Sequence, residues 1–148
     1  GQVHALEHPF PLMIQFTSIV CDGVLEKFPK LKIAFLEAGC GWLPYMMDRL
    51  DYEYETRGGR SFPNMKKKPS DYVKDCSVYV TCEPEETSLA FVTQVIGAER
   101  IMFPSDYPHE RVYGEFLKDI PELLARPELS DATKQKILYD NAKEFYRI

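Results

Sequence analysis

Two carboxylates stand just beyond short apolar runs. Glu37 closes Lys32 to Leu36 (KIAFL), and Asp106 follows Arg100 to Phe103 (RIMF) through Pro104 and Ser105. A charge at the end of a buried strand is expensive to desolvate unless a metal, a base or hydrogen-bond donors receive it. The pair therefore points to metal binding or to general acid and base work, with helix capping or pairing to a nearby Arg or Lys as the plain structural alternative. Thr81, Cys82 and Glu83 after the run Ser77 to Thr81 (SVYVT), with Ser105 and His109 beside Asp106, complete the set of strand-end residues.

A second spacing, His4-Ala5-Leu6-Glu7-His8, fits the H-x-x-E-H arrangement, in which two zinc-binding histidines one helical turn apart flank a general base. Pro9 disfavours the helical conformation that this spacing needs at His8. Both histidines are therefore expected to be partly exposed loop residues.

Strands and helices must alternate to bring the carboxylates together. Residues 12 to 27 place Met13, Phe16, Val20 and Val24 at helical spacing, and Phe28-Pro29 ends that helix. A helix from Trp42 or Leu43 to Glu55 carries Leu43, Met46, Met47 and Leu50 on one stripe and stops at Gly58-Gly59. The stretch 60–69, with two prolines and Lys66-Lys67-Lys68, reads as a solvated excursion. Further helices are expected from Glu85 to Ile96, with Glu85 and Glu86 at its positive end and Gly97 as its cap. Two more follow, from Tyr113 to Ala125 and from Ser130, a plausible N-cap, to Tyr146.

Three apolar strands separated by helical crossovers imply an α/β fold with adjacent parallel strands in chain order and with Glu37 and Asp106 at one end. A closed (β/α)₈ barrel takes about 250 residues. The 148 residues thus read as one domain that is part of something larger, its sheet edges to be covered by a second copy or by a missing N-terminal part.

Net charge is −5 with no extended basic stripe, which argues against a nucleic-acid partner. The apolar runs are far shorter than the roughly 20 residues of a membrane span, and the first 20 residues lack a signal-peptide pattern, so a cytoplasmic, membrane-free protein is expected. Four cysteines without C-x-x-C spacing read as reduced thiols, with Cys21 in the core and Cys40 and Cys82 just past strands.

The segment F-L-E-A-G-C-G-W-L-P-Y-M-M-D-R-L-D (Phe35 to Asp51), preceded by G-V-L-E-K-F-P-K-L-K (Gly23 to Lys32), resembles the central signature of the amidohydrolase 2 family. This is the group of metal-dependent hydrolases and decarboxylases that includes aminocarboxymuconate-semialdehyde decarboxylase. The resemblance continues through I-G-A-E-R-I-M-F-P-S-D-Y-P-H (Ile96 to His109) and N-A-K-E-F-Y (Asn141 to Tyr146).

It implies a (β/α)₈ barrel to which this chain contributes strands six, seven and eight with their helices. By the same resemblance, Asp106 is the strand-eight aspartate that ligates a divalent metal, Zn or Mn, and handles a proton. His109 is close enough in sequence to donate that proton or to touch substrate. Glu37 stands where decarboxylase members carry a histidine, which leaves hydrolysis open beside decarboxylation of a small carboxylated or cyclic compound. The strand-one H-x-H or E-x-H pair and the strand-five histidine have no counterpart here. The alternative is therefore a catalytically silent structural or oligomerisation piece.

Overall fold

Strands β1 (Lys32–Phe35), β2 (Ser77–Thr81) and β3 (Ile101–Met102) lie side by side in that order, all parallel, in the computed structural model, which describes residues 1–75, 77–106 and 116–148. Lys32 faces Ser77 and Phe35 faces Val80, while Val80 and Thr81 in turn face Ile101 and Met102. Consecutive β2 residues Val78, Tyr79 and Val80 are all buried. Because neighbouring side chains point to opposite faces, both sides of the sheet are covered, as an α/β fold with a parallel sheet requires.

The chain enters through α1 (Gln2–Glu7), α2 (Pro9–Cys21) and α3 (Val24–Lys27). The single helix expected over 12–27 is thus broken at Asp22-Gly23. Gly23 takes a φ of 74°, and a Cβ there would sit 2.6 Å from the Asn64 carbonyl oxygen, so close packing of the 60–69 excursion demands glycine at the break. His8, exposed in the turn between α1 and α2, departs from expectation only in its backbone. It joins α1 to α2 in right-handed helical conformation (φ −91°, ψ −52°) despite the proline that follows, with Pro9 at the first position of α2, where a missing N–H costs nothing.

Helix α4 (Trp42–Arg57) crosses from β1 and ends two residues beyond the expected Glu55, with Gly58 as its cap. Phe16 of α2, Phe35 of β1 and Trp42 of α4 then form a triangle of edge-to-face rings with centroids 5.4 to 5.8 Å apart. Such contacts add about 0.5–1.5 kcal/mol each beyond area burial. Phe16→Ala is expected to destabilise the protein by about 3–5 kcal/mol, read as a lowered urea midpoint at unchanged slope.

Helix α5 (Pro69–Asp75) has a polar sequence and no apolar periodicity. It exists because Asp51 of α4 accepts from the Ser70 N–H (2.9 Å) and Ser70 Oγ (2.6 Å), and because Tyr72 and Val73 are buried. The lysines ahead of it face carboxylates: Lys66 pairs with Glu26 (2.9 Å), Lys67 with Asp75 (2.7 Å) and Lys68 with Glu55.

After β2, helix α6 (Leu89–Ile96) begins four residues later than expected, and Gly97 (φ 85°) ends it. Helix α7 spans Phe116–Ala125. The last helix runs as α8 (Asp131–Gln135), a wide π turn (Lys136–Asp140) and α9 (Asn141–Tyr146), with Ser130 Oγ accepting from the Thr133 N–H at its start. Within the π turn the Ile137 carbonyl accepts the Phe103 N–H (3.0 Å), and buried Asn141 donates to the Ala98 and Ile101 carbonyls. The C-terminal helix is thereby fastened to both flanks of β3. Among the described residues, no helix is long and apolar enough to cross a membrane.

Candidate functional site

The carboxyl ends of three parallel strands open at one end of the sheet, and the residues that follow them form the site. Beyond β1 the chain turns sharply: Glu37 has a φ of 67° and Gly39 a φ of 62°. A left-handed conformation costs an L-residue such as Glu roughly 1–2 kcal/mol, so the surroundings must impose it. Part of that constraint is the Glu37 N–H, which donates to Thr81 Oγ1 of β2 (3.2 Å). Asp106 is a second carboxylate residue with positive φ (42°).

Glu86, in the β2–α6 loop, holds the amides that follow this turn. Its carboxylate accepts from the Cys40 N–H (2.9 and 3.1 Å to its two oxygens), the Gly41 N–H (2.5 Å), Ser88 Oγ (3.0 Å) and the Cys40 thiol (3.2 Å). These amides stand just ahead of α4, so Glu86 meets the positive end of that helix and not of its own. The arrangement explains the glycines. A Cβ on Gly41 would lie 2.8 Å from Glu86 Oε1 and collide with Ser88 Oγ, and one on Gly39 would lie 3.0 Å from Glu86 Oε2. Trp42 closes the loop by donating its indole N–H to the Gly39 carbonyl (3.0 Å). Gly41→Ala is expected to push Glu86 off the loop, measured as faster amide exchange at Cys40 and at position 41.

A cavity of about 370 Å³ opens beside this loop, lined by Ala5, His8, Pro9, Glu37, Ala38, Gly39, Glu83 and Glu86. His8 Nδ1 stands 3.7 Å from Glu37 Oε2, both side chains being about half exposed. The structure thus brings Glu37, Glu83 and Glu86 together with His8, which the sequence reading set aside with the H-x-x-E-H pattern. Asp106 is exposed at the same end of the sheet but is not among the residues lining this cavity. Thr81 is buried and serves the Glu37 turn, and Ser105 is exposed. His109 and Cys76 lie outside the described residues.

The thiols at the strand ends are fully buried. Burial first, and then the Glu86 carboxylate, push the Cys40 thiol far above its ordinary range. The same two causes push Cys82 from about 9 up to about 12. Both are structural, since the thiolate is the reactive form. Because the folded pKa lies above the unfolded one, the stability held by a neutral Cys82 is complete below about pH 9 and is lost as pH rises toward 12. Urea midpoints taken across that interval should fall less steeply in Cys82→Ala than in the parent protein.

Among the described residues, no group of three or more His, Cys, Asp or Glu side chains is arranged to hold a metal ion. A catalytic divalent site normally uses about three protein ligands. Asp106 offers one carboxylate, so these residues do not by themselves make a metal centre. Glu86 was the residue that sequence reasoning missed. The available signal was a second acidic residue ahead of a helix that had no need of it.

In parallel α/β folds the loops past the carboxyl ends of the strands are where active sites are built. The amidohydrolase family model (Amidohydro_2) matches residues 2–148, and the chain belongs to that family. It is 26% identical over 140 residues to a 2-amino-3-carboxymuconate-6-semialdehyde decarboxylase of Dictyostelium discoideum, a match covering 93% of this chain and 37% of the relative. Among solved structures it resembles a 5-carboxyvanillate decarboxylase of Novosphingobium aromaticivorans, with bound manganese and 3-methoxy-4-hydroxy-5-nitrobenzoic acid (TM-score 0.74, 27% identity, 92% of this chain and 39% of that one). It also resembles a dihydroxybenzoic acid decarboxylase of Polaromonas sp. with bound manganese and 2-nitroresorcinol (TM-score 0.72, 27% identity, 91% and 39%). The chain therefore spans about two fifths of the length of these relatives.

Proposed function

We propose that the chain is the strand six to eight portion of a (β/α)₈ barrel in a metal-dependent amidohydrolase-family enzyme that acts on a small carboxylate-bearing, aromatic or muconate-like compound. The observation that carries this reading is that two carboxylate residues with positive φ, Glu37 and Asp106, both stand just past the carboxyl ends of parallel strands, at one end of the sheet. Strain kept at a strand end is characteristic of working residues. Manganese in related decarboxylases supports a divalent ion, and the two-fifths coverage supports further chain pairing with the open sides of β1 and β3 and bringing the remaining ligands.

In this reading Asp106 is one metal ligand, and the ion would polarise the substrate or the attacking water when bound. Glu37 faces the cavity and holds or moves a proton at its carboxylate, a role for which His8, 3.7 Å away, is the neighbouring partner. His109, three residues after Asp106 in the sequence, contacts substrate or relays the proton. Decarboxylation and hydrolysis share this frame. Incubating the full-length protein and Mn²⁺ with 5-carboxyvanillate, a dihydroxybenzoate and a cyclic amide separates them by carbon dioxide release against ring opening. Neither product, together with no metal uptake, would leave a silent scaffold in place of the enzyme.

A further inference from the structure

The Glu86 carboxylate accepts from the Cys40 and Gly41 N–H groups, Ser88 Oγ and the Cys40 thiol, although Glu86 does not itself follow a strand directly, as Glu37 does. It reaches from the β2–α6 loop into the β1–α4 loop and takes hold of Cys40 and Gly41, three and four residues beyond Glu37. The loop between is short and turned twice into the left-handed region, at Glu37 and Gly39. A carboxylate that accepts two backbone N–H groups makes charge-assisted bonds, roughly twice as strong as neutral ones. Such a clamp is strong enough to hold a strained turn that Glu37 alone would leave.

The clamp is itself anchored. Arg126, only 13% exposed, donates from Nη1 to the Pro84 and Glu86 carbonyls at 2.7 Å each, fixing the backbone from which Glu86 extends. The Glu83 N–H adds a longer contact to the same carboxylate (3.4 Å). Adjacent Glu85, by contrast, is exposed.

We infer that Glu86 is a positioning residue, whose grip on the Cys40 and Gly41 amides sets the left-handed turn at Glu37 and so aims the Glu37 carboxylate into the cavity. The proposal rests on the acid/base reading of Glu37 given above, but the clamp has a readout of its own.

The test compares the full-length manganese-loaded protein with Glu86→Ala, Glu86→Gln and, as control, Glu85→Gln. Amide exchange is followed on the peptide covering 37–41, and kcat and KM are measured per folded molecule on 5-carboxyvanillate and a dihydroxybenzoate. Glu86→Ala should speed exchange of that peptide by about tenfold or more, since charge-assisted bonds are lost. It should lower kcat by about 100-fold, the effect of misplacing a reacting group by about 1 Å. KM should stay within about threefold, because the loss falls on the chemical step. Glu86→Gln, which keeps one acceptor oxygen, should fall between, and Glu85→Gln should match the parent. Unchanged exchange in Glu86→Ala overturns the clamp. Faster exchange with unchanged kcat overturns the positioning role. If the parent turns over neither acid, the reading of Glu37 fails and exchange alone judges the clamp.

Discussion

Asp106→Asn in the full-length protein is expected to abolish turnover, by about 10³-fold or more, while leaving stability within about 0.5 kcal/mol of the parent. The two halves of this result have separate causes. Asn keeps the shape but loses the negative charge that a metal ion or a transferred proton requires, so the chemical role is removed with the volume intact. The fold is spared because Asp106 is exposed and sits at a φ of 42°, a region that Asn adopts more readily than most residues. Steady-state kinetics and urea unfolding on one preparation measure both halves. Parent-like turnover would remove Asp106 from the site.

The largest stability effect outside the aromatic core is expected at Asn141. Its side chain, 3% exposed, donates at 2.7 Å to the Ala98 carbonyl and at 2.6 Å to the Ile101 carbonyl, bracketing the start of β3. Asn141→Leu keeps the volume, but both acceptors lose this donor. A cost of about 2–4 kcal/mol follows from one to two buried groups deprived of a partner. Asn141→Asp should cost more, because it buries a carboxylate against two carbonyl oxygens. Urea midpoints of the two variants, in that order below the parent, check the ranking, and an Asp variant as stable as the parent would contradict it.

Much of the frame was legible because it is written locally. The runs KIAF, SVYVT and IM are largely apolar and lie close to glycine or proline, and their parallel direction followed from the helical crossovers between them. Ser130 as an N-cap and Gly97 as a terminator were readable for the same reason. What escaped was set by partners distant in sequence. Helix α5 depends on Asp51, the break at Gly23 on Asn64, and the Glu86 clamp on amides 45 and 46 residues away. His8 adopted helical geometry before Pro9 because two short helices meet there, a context that the dipeptide rule does not contain. The strand order put Glu37 and Asp106 at one end of the sheet, as the parallel pairing has them, but it could not indicate that Glu37 would share its cavity with His8 and Glu86 while Asp106 stood apart from that lining.

The reading of Asp106 as a metal ligand is tested most directly by metal content. The full-length protein and its Asp106→Ala variant are loaded with Mn²⁺, desalted and analysed by plasma mass spectrometry. The parent should retain about one manganese ion per chain, and the variant should retain little or none. A variant that holds as much manganese as the parent, or a parent that holds none, would contradict the reading.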